Sequence, residues 1–188
     1  MAVQLLEKLN QGLSPQGFVE KMTRNQEAFQ NWYQQFAWSK ASDREFFEEF
    51  HKDGLRCVII AADWCGDVVR NVPVVFRLLE TLNMPTDVLI MEENLEVMDQ
   101  FLTMGGRSIP VVLFVNEAGE VVGRWGPRPA YVQEPMVAFK ANNPDKNAAS
   151  YDENLKATRQ EIGRRYGEGT GYQQLIVDEV RAILENLA

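Results

Sequence analysis

A continuous run of apolar residues limits most strongly what this sequence can fold into. The six residues 57–62, Cys-Val-Ile-Ile-Ala-Ala, contain no charged or amide side chain. A strand that is exposed on one face alternates apolar and polar residues, whereas a strand covered on both faces is apolar throughout. The run therefore predicts a central strand with further layers packed on both faces of its sheet.

Downstream of this run, the hydrophobic pattern predicts a βαβ unit, a further helix and a β-hairpin. The predicted segments are a helix over 67–82, a strand over 87–91, a helix over 93–104, and hairpin strands over 109–115 and 121–125. Pro73 interrupts the first of these helices, and Pro85 ends it. Together the segments predict an α/β fold with a mixed sheet of about four strands, in the order βαβ and then ββα, flanked by helices.

Aromatic side chains at helical spacing dominate the N-terminal part of the chain. Ser14-Pro15 forms the expected start of one amphipathic helix, which carries an aromatic stripe over 18–36. The residues 42–45, Ser-Asp-Arg-Glu, form a capping box that predicts the start of a second helix ending near Gly54. These stripes indicate helix faces that pack into a core.

We interpret all 188 residues as one domain with four segments. They are an N-terminal helical extension (1–54), a core (55–126), an insertion (127–150) and C-terminal helices (151–188). The insertion has a less regular pattern than its neighbours because prolines and the polar loop 142–145 divide it. Helical patterns over 151–166 and 173–187 follow, and the apolar face of the last helix is expected to pack on the sheet.

The charge and the residue types argue against several classes of partner. The chain has 27 acidic and 19 basic side chains, a net charge of -8, which disfavours nucleic acid and anionic membranes as partners. No apolar run approaches the roughly 20 residues that span a bilayer, and residues 1–12 lack the pattern of a secretion signal. With two cysteines and one histidine, we expect a cytoplasmic protein without structural disulfides and without a metal site.

Cys65 is the candidate reactive group because it lies where the central strand turns into the next helix. Unsatisfied N–H groups at a helix start, together with the helix dipole, stabilise a thiolate, which is the form that attacks a disulfide. The other thiol, Cys57, lies on the strand about 26 Å from Cys65, whereas a disulfide needs Cα atoms within about 7 Å. Cys57 is therefore expected to be a small buried residue, and His51, near a helix C-terminus, is a poor catalytic candidate.

The segment 61–68, Ala-Ala-Asp-Trp-Cys-Gly-Asp-Val, resembles the W-C-G-P-C active-site segment of thioredoxins. Pro73 falls where thioredoxins kink the active-site helix, Ile109-Pro110 resembles their cis-proline segment, and Gly126 lies near their groove glycine. The resemblance covers 55–126 and implies the three-layer thioredoxin-like fold. The extension and the insertion resemble those of a bacterial subgroup with an altered motif, which here is W-C-G-D-V with a single cysteine.

The resemblance also implies a groove for an extended substrate beside the thiol. Pro110 would be in cis, and the backbone of Ser108 and Ile109 would pair with a partner peptide by strand addition. The other site residues are neighbours of Cys65 or shape the groove: Trp64, Gly66, Asp67, Val68, Trp125 and Gly126. The alternative for Pro110 is a strand-initiating proline in an ordinary turn, although its position relative to Cys65 favours the groove.

Departures from the thioredoxin motif change the expected chemistry. Val68 stands where a dithiol enzyme has its resolving cysteine, and Ile59 stands where the resemblance places a buried acid, so thioredoxin-style reduction is not expected. Asp63 and Asp67 put carboxylates on both sides of Cys65, where negative charge opposes ionisation of the thiol. Asp67 is expected to cap the helix, with proton acceptance from a bound thiol as the alternative, so the net effect on the thiol stays open.

Two functions remain for such a site. The first is a monothiol thiol-disulfide oxidoreductase, or an isomerase that uses the same step, in which Cys65 attacks a disulfide-containing or thiolated protein or small molecule. An external thiol such as glutathione or bacillithiol would resolve the adduct, and no cofactor is needed. The second is a redox-inactive peptide-binding or adaptor module. In either case, the prolines of the insertion could form a lid over the groove.

Overall fold

An open sheet of four strands forms the centre of the computed structural model, which describes residues 4–188. The strands are β1 Arg56–Ala61, β2 Thr86–Ile90, β3 Val111–Val115 and β4 Val121–Trp125, in the spatial order β2-β1-β3-β4. Strand β1 pairs parallel with β2 and antiparallel with β3, which in turn pairs antiparallel with β4. The predicted mixed sheet of an α/β fold is confirmed.

The apolar run occupies the centre of this sheet. Residues 57–61 are fully buried, and Ile59 lies between Val88 of β2 and Val112 of β3. Burial on both faces explains why no polar residue interrupts the run. Strand β3 begins at Val111, two residues later than predicted, because Pro110 has no N–H to donate to a sheet ladder.

Helices cover the sheet on both sides. They are α1 Pro15–Lys21, α2 Gln26–Gln35, α3 Ala41–Glu49, α4 Gly66–Thr81, α5 Leu95–Met98, α6 Ala130–Asn142, α7 Tyr151–Tyr166 and α8 Gln173–Leu187. Short 3-10 turns at Leu6–Lys8 and Met91–Glu93 complete the described elements. Helices α7 and α8 have the predicted bounds, and α4 continues through Pro73. Within residues 4–188, each helix is too short or too polar to cross a bilayer.

The predicted helix over 18–36 is wrong in one respect, because it is two helices separated at 22–25. Its start is as predicted, since the Ser14 hydroxyl accepts a hydrogen bond from the N–H of Gly17 at 3.0 Å. The break has a long-range cause. The carboxylate of Asp63 accepts hydrogen bonds from the N–H groups of Thr23 and Arg24. These N–H groups are therefore not available for the backbone hydrogen bonds that would continue α1.

The predicted capping box at 42–45 is also wrong. Helix α3 begins two residues earlier, with Lys40 instead of Ser42 at its N-cap and no side-chain capping bond. Asp43 instead points into the protein, where it is 3% exposed and accepts hydrogen bonds from Gln174 and Arg181 of α8. The polar residues of this apparent capping motif therefore tie α3 to the C-terminal helix.

The predicted helix over 93–104 shrinks to the single turn of α5. Asn94 and Asp99 flank this turn, and the chain then reverses at Met104 and Gly105, whose φ angles are 49° and 75°. Left-handed backbone at two successive positions is incompatible with a helix. The resulting loop leads back to Ser108.

The insertion is more regular than its sequence pattern indicates, because it contains the 13-residue helix α6. Pro135 lies inside this helix, and a proline cannot donate to the carbonyl four residues before it. That carbonyl, of Tyr131, accepts a hydrogen bond from Arg165 of α7 at 2.6 Å. The rings of Phe139 and Tyr151, 5.1 Å apart, add a second contact between α6 and α7.

The aromatic stripe of the N-terminal extension packs against α4. Three rings, from Phe18, Phe29 and Phe76, lie 5.6 to 6.4 Å apart in pairs, and all three are at most 2% exposed. Offset and edge-on contacts at these separations are the preferred geometry of aromatic pairs. The extension thus shares a hydrophobic core with α4, the helix that follows Cys65.

Candidate functional site

Cys65 lies in the turn between β1 and α4 and is the N-cap residue of α4. The fully buried strand fixes its position on one side, and the first turn of α4 fixes it on the other. Its side chain is half-buried, and its Sγ donates to the carbonyl oxygen of Ile109 at 3.5 Å. The thiol therefore faces the segment that precedes Pro110.

The environment of Cys65 acts on its ionisation in both directions. Burial is the largest influence and raises the pKa of the thiol above its ordinary value. The backbone N–H groups of Val68 and Asp67 lower the pKa, as expected at a helix start, while the Asp67 carboxylate raises it and the Arg128 guanidinium lowers it. The net shift is upward, which answers the question that the sequence left open.

Asp63, on one side of Cys65, is held by the loop between α1 and α2. Its carboxylate accepts hydrogen bonds from the N–H groups of Thr23 at 2.8 Å and Arg24 at 3.0 Å, and the amide of Asn25 donates to its backbone carbonyl. Burial alone would raise the pKa of Asp63, but these donors hold it below its usual value. The N-terminal extension therefore fixes the residues just before the thiol.

Asp67, on the other side of Cys65, does not cap α4 as the sequence analysis expected. Its carboxylate forms two hydrogen bonds with the guanidinium of Arg128, at 2.8 and 2.7 Å, and accepts a third from the hydroxyl of Tyr166 at 2.8 Å. Behind it, the Asn71 amide donates to Tyr166 and to the carbonyl of Pro127. A polar network from the insertion and α7 thus occupies the space beside the start of α4.

No second thiol approaches Cys65. Val68 is fully buried and fills the position of a resolving cysteine with an apolar side chain. Ile59 is fully buried as well, so the strand contributes no acid beneath the site. Cys57 is buried in β1, where burial raises the pKa of its thiol far above the ordinary value. Both cysteines are free thiols, and Cys65 is the more exposed one.

The segment opposite the thiol has the geometry that the resemblance implies. The peptide bond between Ile109 and Pro110 is cis, and so is the bond between Gly126 and Pro127, which the sequence did not indicate. Gly126 has φ of 107°, and a Cβ atom there would lie 2.3 Å from the carbonyl oxygen of Pro110. Only glycine allows the two segments to approach so closely.

Two tryptophans expected at the groove differ in exposure. Trp64 is 47% exposed, and its indole N–H donates to Glu92 at 2.6 Å. A cavity of about 270 Å³ lies beside it, with an apolar floor that includes Phe18 and Ile90. Trp125 is 4% exposed and donates to Glu179 of α8, so it belongs to the packing between β4 and α8 instead of offering a surface to a substrate.

Sequence reasoning missed the two residues that bind the Asp67 carboxylate, Arg128 and Tyr166, and Asn71, which binds Tyr166. Arg128 lies 61 positions away from Asp67, and Tyr166 lies 99 positions away. One signal was present, because a carboxylate at the start of the active-site helix needs a cation when it is partly buried. The arginine directly after Gly126-Pro127 was a candidate partner. Asn71 carried no signal that separates it from an ordinary helical residue.

Other titratable groups lie away from the thiol or in ordinary surface pairs. His51 is exposed and forms a hydrogen bond with Asp53 at 2.8 Å. Among residues 4–188, the structure groups no three or more histidine, cysteine, aspartate or glutamate side chains in a way that could hold a metal ion.

Comparison with known proteins relates this architecture to one family. A family model described as Thioredoxin matches residues 12–156, more than three quarters of the chain. The chain belongs to this thioredoxin family. The match extends beyond the core into α1, the insertion and the start of α7, so the thioredoxin-family model accounts for these added segments as well.

Solved structures show the same fold for this thioredoxin-family protein. One is a protein of unknown function from Pseudomonas aeruginosa, with a TM-score of 0.68, 19% identity and coverage of 99% of both chains. Another is an HIV epitope scaffold of the 4E10 series, with a TM-score of 0.68, 17% identity and coverage of 99% of this chain and all of that chain. No curated protein matches this chain.

Proposed function

We propose that this thioredoxin-family protein is a monothiol thiol-disulfide oxidoreductase that acts through Cys65. The observation that carries the proposal is the 3.5 Å separation between Sγ of Cys65 and the carbonyl oxygen of Ile109. This separation places the single half-buried thiol against a backbone segment at which an extended substrate can lie. An isomerase would use the same attack and the same residues.

The backbone beside the thiol supports binding of an extended peptide. Within the described chain, the N–H of Ile109 has no hydrogen-bond partner, and Ser108 bonds only locally to the carbonyl of Gly106. Free backbone groups next to a strand end can pair with an added strand, which would lie across Cys65. Trp64 offers an exposed apolar ring at the same site.

The proposed reaction has two exchange steps. The Cys65 thiolate attacks one sulfur of a substrate disulfide, forms a mixed disulfide with it and releases the other sulfur as a thiolate, which takes a proton. An external thiol then attacks this mixed disulfide, leaves as a new disulfide with the substrate group, and restores Cys65. The external thiol is needed because Val68 and the buried Cys57 offer no resolving thiol. We place this chemistry in the cytoplasm, where glutathione or bacillithiol supplies such a thiol.

The rate of this exchange is expected to rise steeply with pH. Burial holds the pKa of Cys65 above its ordinary value, so the thiolate is a minor species at neutral pH. Below that pKa, each pH unit increases the thiolate about tenfold, and the rate should still be rising at about pH 9. The measurement is the release of glutathione from a peptide mixed disulfide, in excess reduced glutathione, from about pH 7 to about pH 10.

This measurement also tests the function itself. The proposal requires that the protein accelerate the release above the uncatalysed background measured at each pH. A release rate equal to the background over the whole range would contradict it. A rate that reaches a plateau near neutral pH would instead contradict the upward shift of the thiol pKa.

A second candidate function is a peptide-binding adaptor that performs no redox reaction. The observation that favours it is the environment of the thiol, since burial raises the pKa of Cys65, and this raised pKa and the hydrogen bond from Sγ to the carbonyl of Ile109 both reduce the reactivity of Cys65. The adaptor would bind peptide through the same backbone edge, and Cys65→Ser would leave its affinity for a peptide unchanged. Disulfide exchange by the parent protein that Cys65→Ser lacks would favour the oxidoreductase.

A further inference from the structure

The two acidic residues that flank Cys65 are both engaged by segments outside the central βαβ unit. The loop 22–25 of the N-terminal extension supplies donors to Asp63, and the insertion supplies Arg128 to Asp67. The pair of Asp67 and Arg128 is the more consequential, because it is a contact between two opposite full charges. Their side chains are 17% and 16% exposed, so water screens this pair only weakly.

The geometry of this pair is that of a fixed ion pair. Nε and one terminal nitrogen of Arg128 bond the two carboxylate oxygens at 2.8 and 2.7 Å, the side-by-side arrangement that makes arginine and carboxylate pairs specific. The remaining terminal nitrogen donates to Gln133 of α6 at 2.6 Å. The hydroxyl of Tyr166 adds a neutral donor to Asp67 at 2.8 Å. Three hydrogen bonds from two residues thus determine the orientation of the carboxylate.

We propose that Arg128 is a positioning residue of the thiol site, which holds Asp67 and cancels the negative charge that would otherwise oppose ionisation of Cys65. The insertion thereby controls the reactivity of the thiol by supplying one cation. The inference deepens the proposed function and rests on it for its biological meaning. Its test uses alkylation of Cys65, which reports the charge around the thiol whether or not the protein exchanges disulfides.

Two opposite charges near Cys65 determine the effects expected of the variants. The charge of Asp67 raises the pKa of Cys65, and the charge of Arg128 lowers it. Asp63 is tied to backbone donors on the other side. Tyr166 stays protonated, since burial and the neighbouring Asp67 raise its pKa far above the ordinary value, and it remains a hydrogen-bond donor at every pH of the test.

The experiment measures the pH dependence of Cys65 alkylation by iodoacetamide in a Cys57→Ala background. Arg128→Met leaves the Asp67 carboxylate unpaired, so the pKa of Cys65 should rise by about one unit or more and labelling at neutral pH should slow about tenfold. Asp67→Asn leaves the guanidinium unpaired, so the pKa should fall by a similar amount. The double variant has neither charge beside Cys65, so the pKa of Cys65 should return to within about 0.3 unit of the parent value.

Two further variants separate charge from structure. Arg128→Lys keeps the cation without the paired geometry and should recover most of the parent pKa. Arg164→Met removes an exposed arginine of α7 that pairs with Glu161 and should leave the pKa of Cys65 unchanged. If Arg128→Met does not fold, the pKa values of Cys65 in Asp67→Asn and in the double variant still test the proposal. Shifts of the same sign in both single variants, or a double variant that keeps the shift of Asp67→Asn, would overturn the proposal.

Discussion

Replacing Cys65 by serine is expected to reduce disulfide exchange to the uncatalysed background. The serine hydroxyl is not ionised at any pH of the assay, and sulfur is needed both to attack the disulfide and to carry the mixed disulfide. No other residue can take over, because the chain has one other cysteine and Cys57 is fully buried. The rate of glutathione release from a peptide mixed disulfide measures the effect.

The matched control for this prediction is Cys57→Ala. This change removes the other thiol, which lies within β1 and has no exposed surface. It should leave the exchange rate within about twofold of the parent, because neither the groove nor the first turn of α4 changes. Equal activity of the parent and Cys65→Ser would show that the reaction does not pass through this thiol.

Phe29→Ala is expected to lower the free energy of unfolding by about 3–5 kcal/mol. Phe29 is fully buried, and its ring centroid lies 6.0 Å from that of Phe18 and 5.6 Å from that of Phe76. The truncation removes the ring contact between Phe29 of α2 and Phe76 of α4 and leaves a cavity in the shared core. Urea unfolding followed by circular dichroism and by tryptophan fluorescence measures the loss.

An exposed apolar residue gives the control for the stability prediction. Val137 in α6 is 51% exposed, and Val137→Ala should change the free energy of unfolding by less than about 0.5 kcal/mol. For Phe29→Ala, the two probes should report one common transition, because the extension and the sheet share a core. A loss below about 1 kcal/mol, or a separate early transition, would show that α2 is not part of this cooperative unit.

The parts of the fold that follow from local pattern were predictable from the sequence. The apolar run 57–62 is the central strand, Ser14 caps α1, and α7 and α8 have the predicted bounds. These elements depend on periodicity and on capping within a few residues, which the sequence contains directly. The thiol position at the start of α4 follows from the same local rules.

The errors have long-range causes. The break between α1 and α2 depends on Asp63, about 40 positions away, and the apparent capping box at 42–45 is used for contacts with α8. Helix α6 tolerates Pro135 because Arg165 donates a hydrogen bond to the carbonyl of Tyr131, which the proline leaves without a partner. None of these partners is visible in a local sequence window, since each lies on a different element of the fold.

The ionisation of Cys65 shows the same limit at the candidate site. The sequence alone predicted a helix start, which stabilises a thiolate, next to two acidic residues, which oppose ionisation of the thiol. The sign of the net effect on the pKa of Cys65 was therefore open. The structure adds the degree of burial, the donors to Asp63 and the pairing of Asp67 with Arg128. These quantities depend on the packing of the extension and the insertion, which local pattern does not give.

Trapping of the covalent intermediate tests the central claim most directly. The Cys57→Ala protein is incubated at about pH 8.5 with a peptide that carries a mixed disulfide with glutathione, quenched in acid and mapped by mass spectrometry, with the unfolded protein as a control for the intrinsic reactivity of the thiol. The account predicts a mixed disulfide on Cys65 in the folded protein that free glutathione removes. An adduct that forms in the unfolded protein but never in the folded one would contradict the account and leave the peptide-binding adaptor.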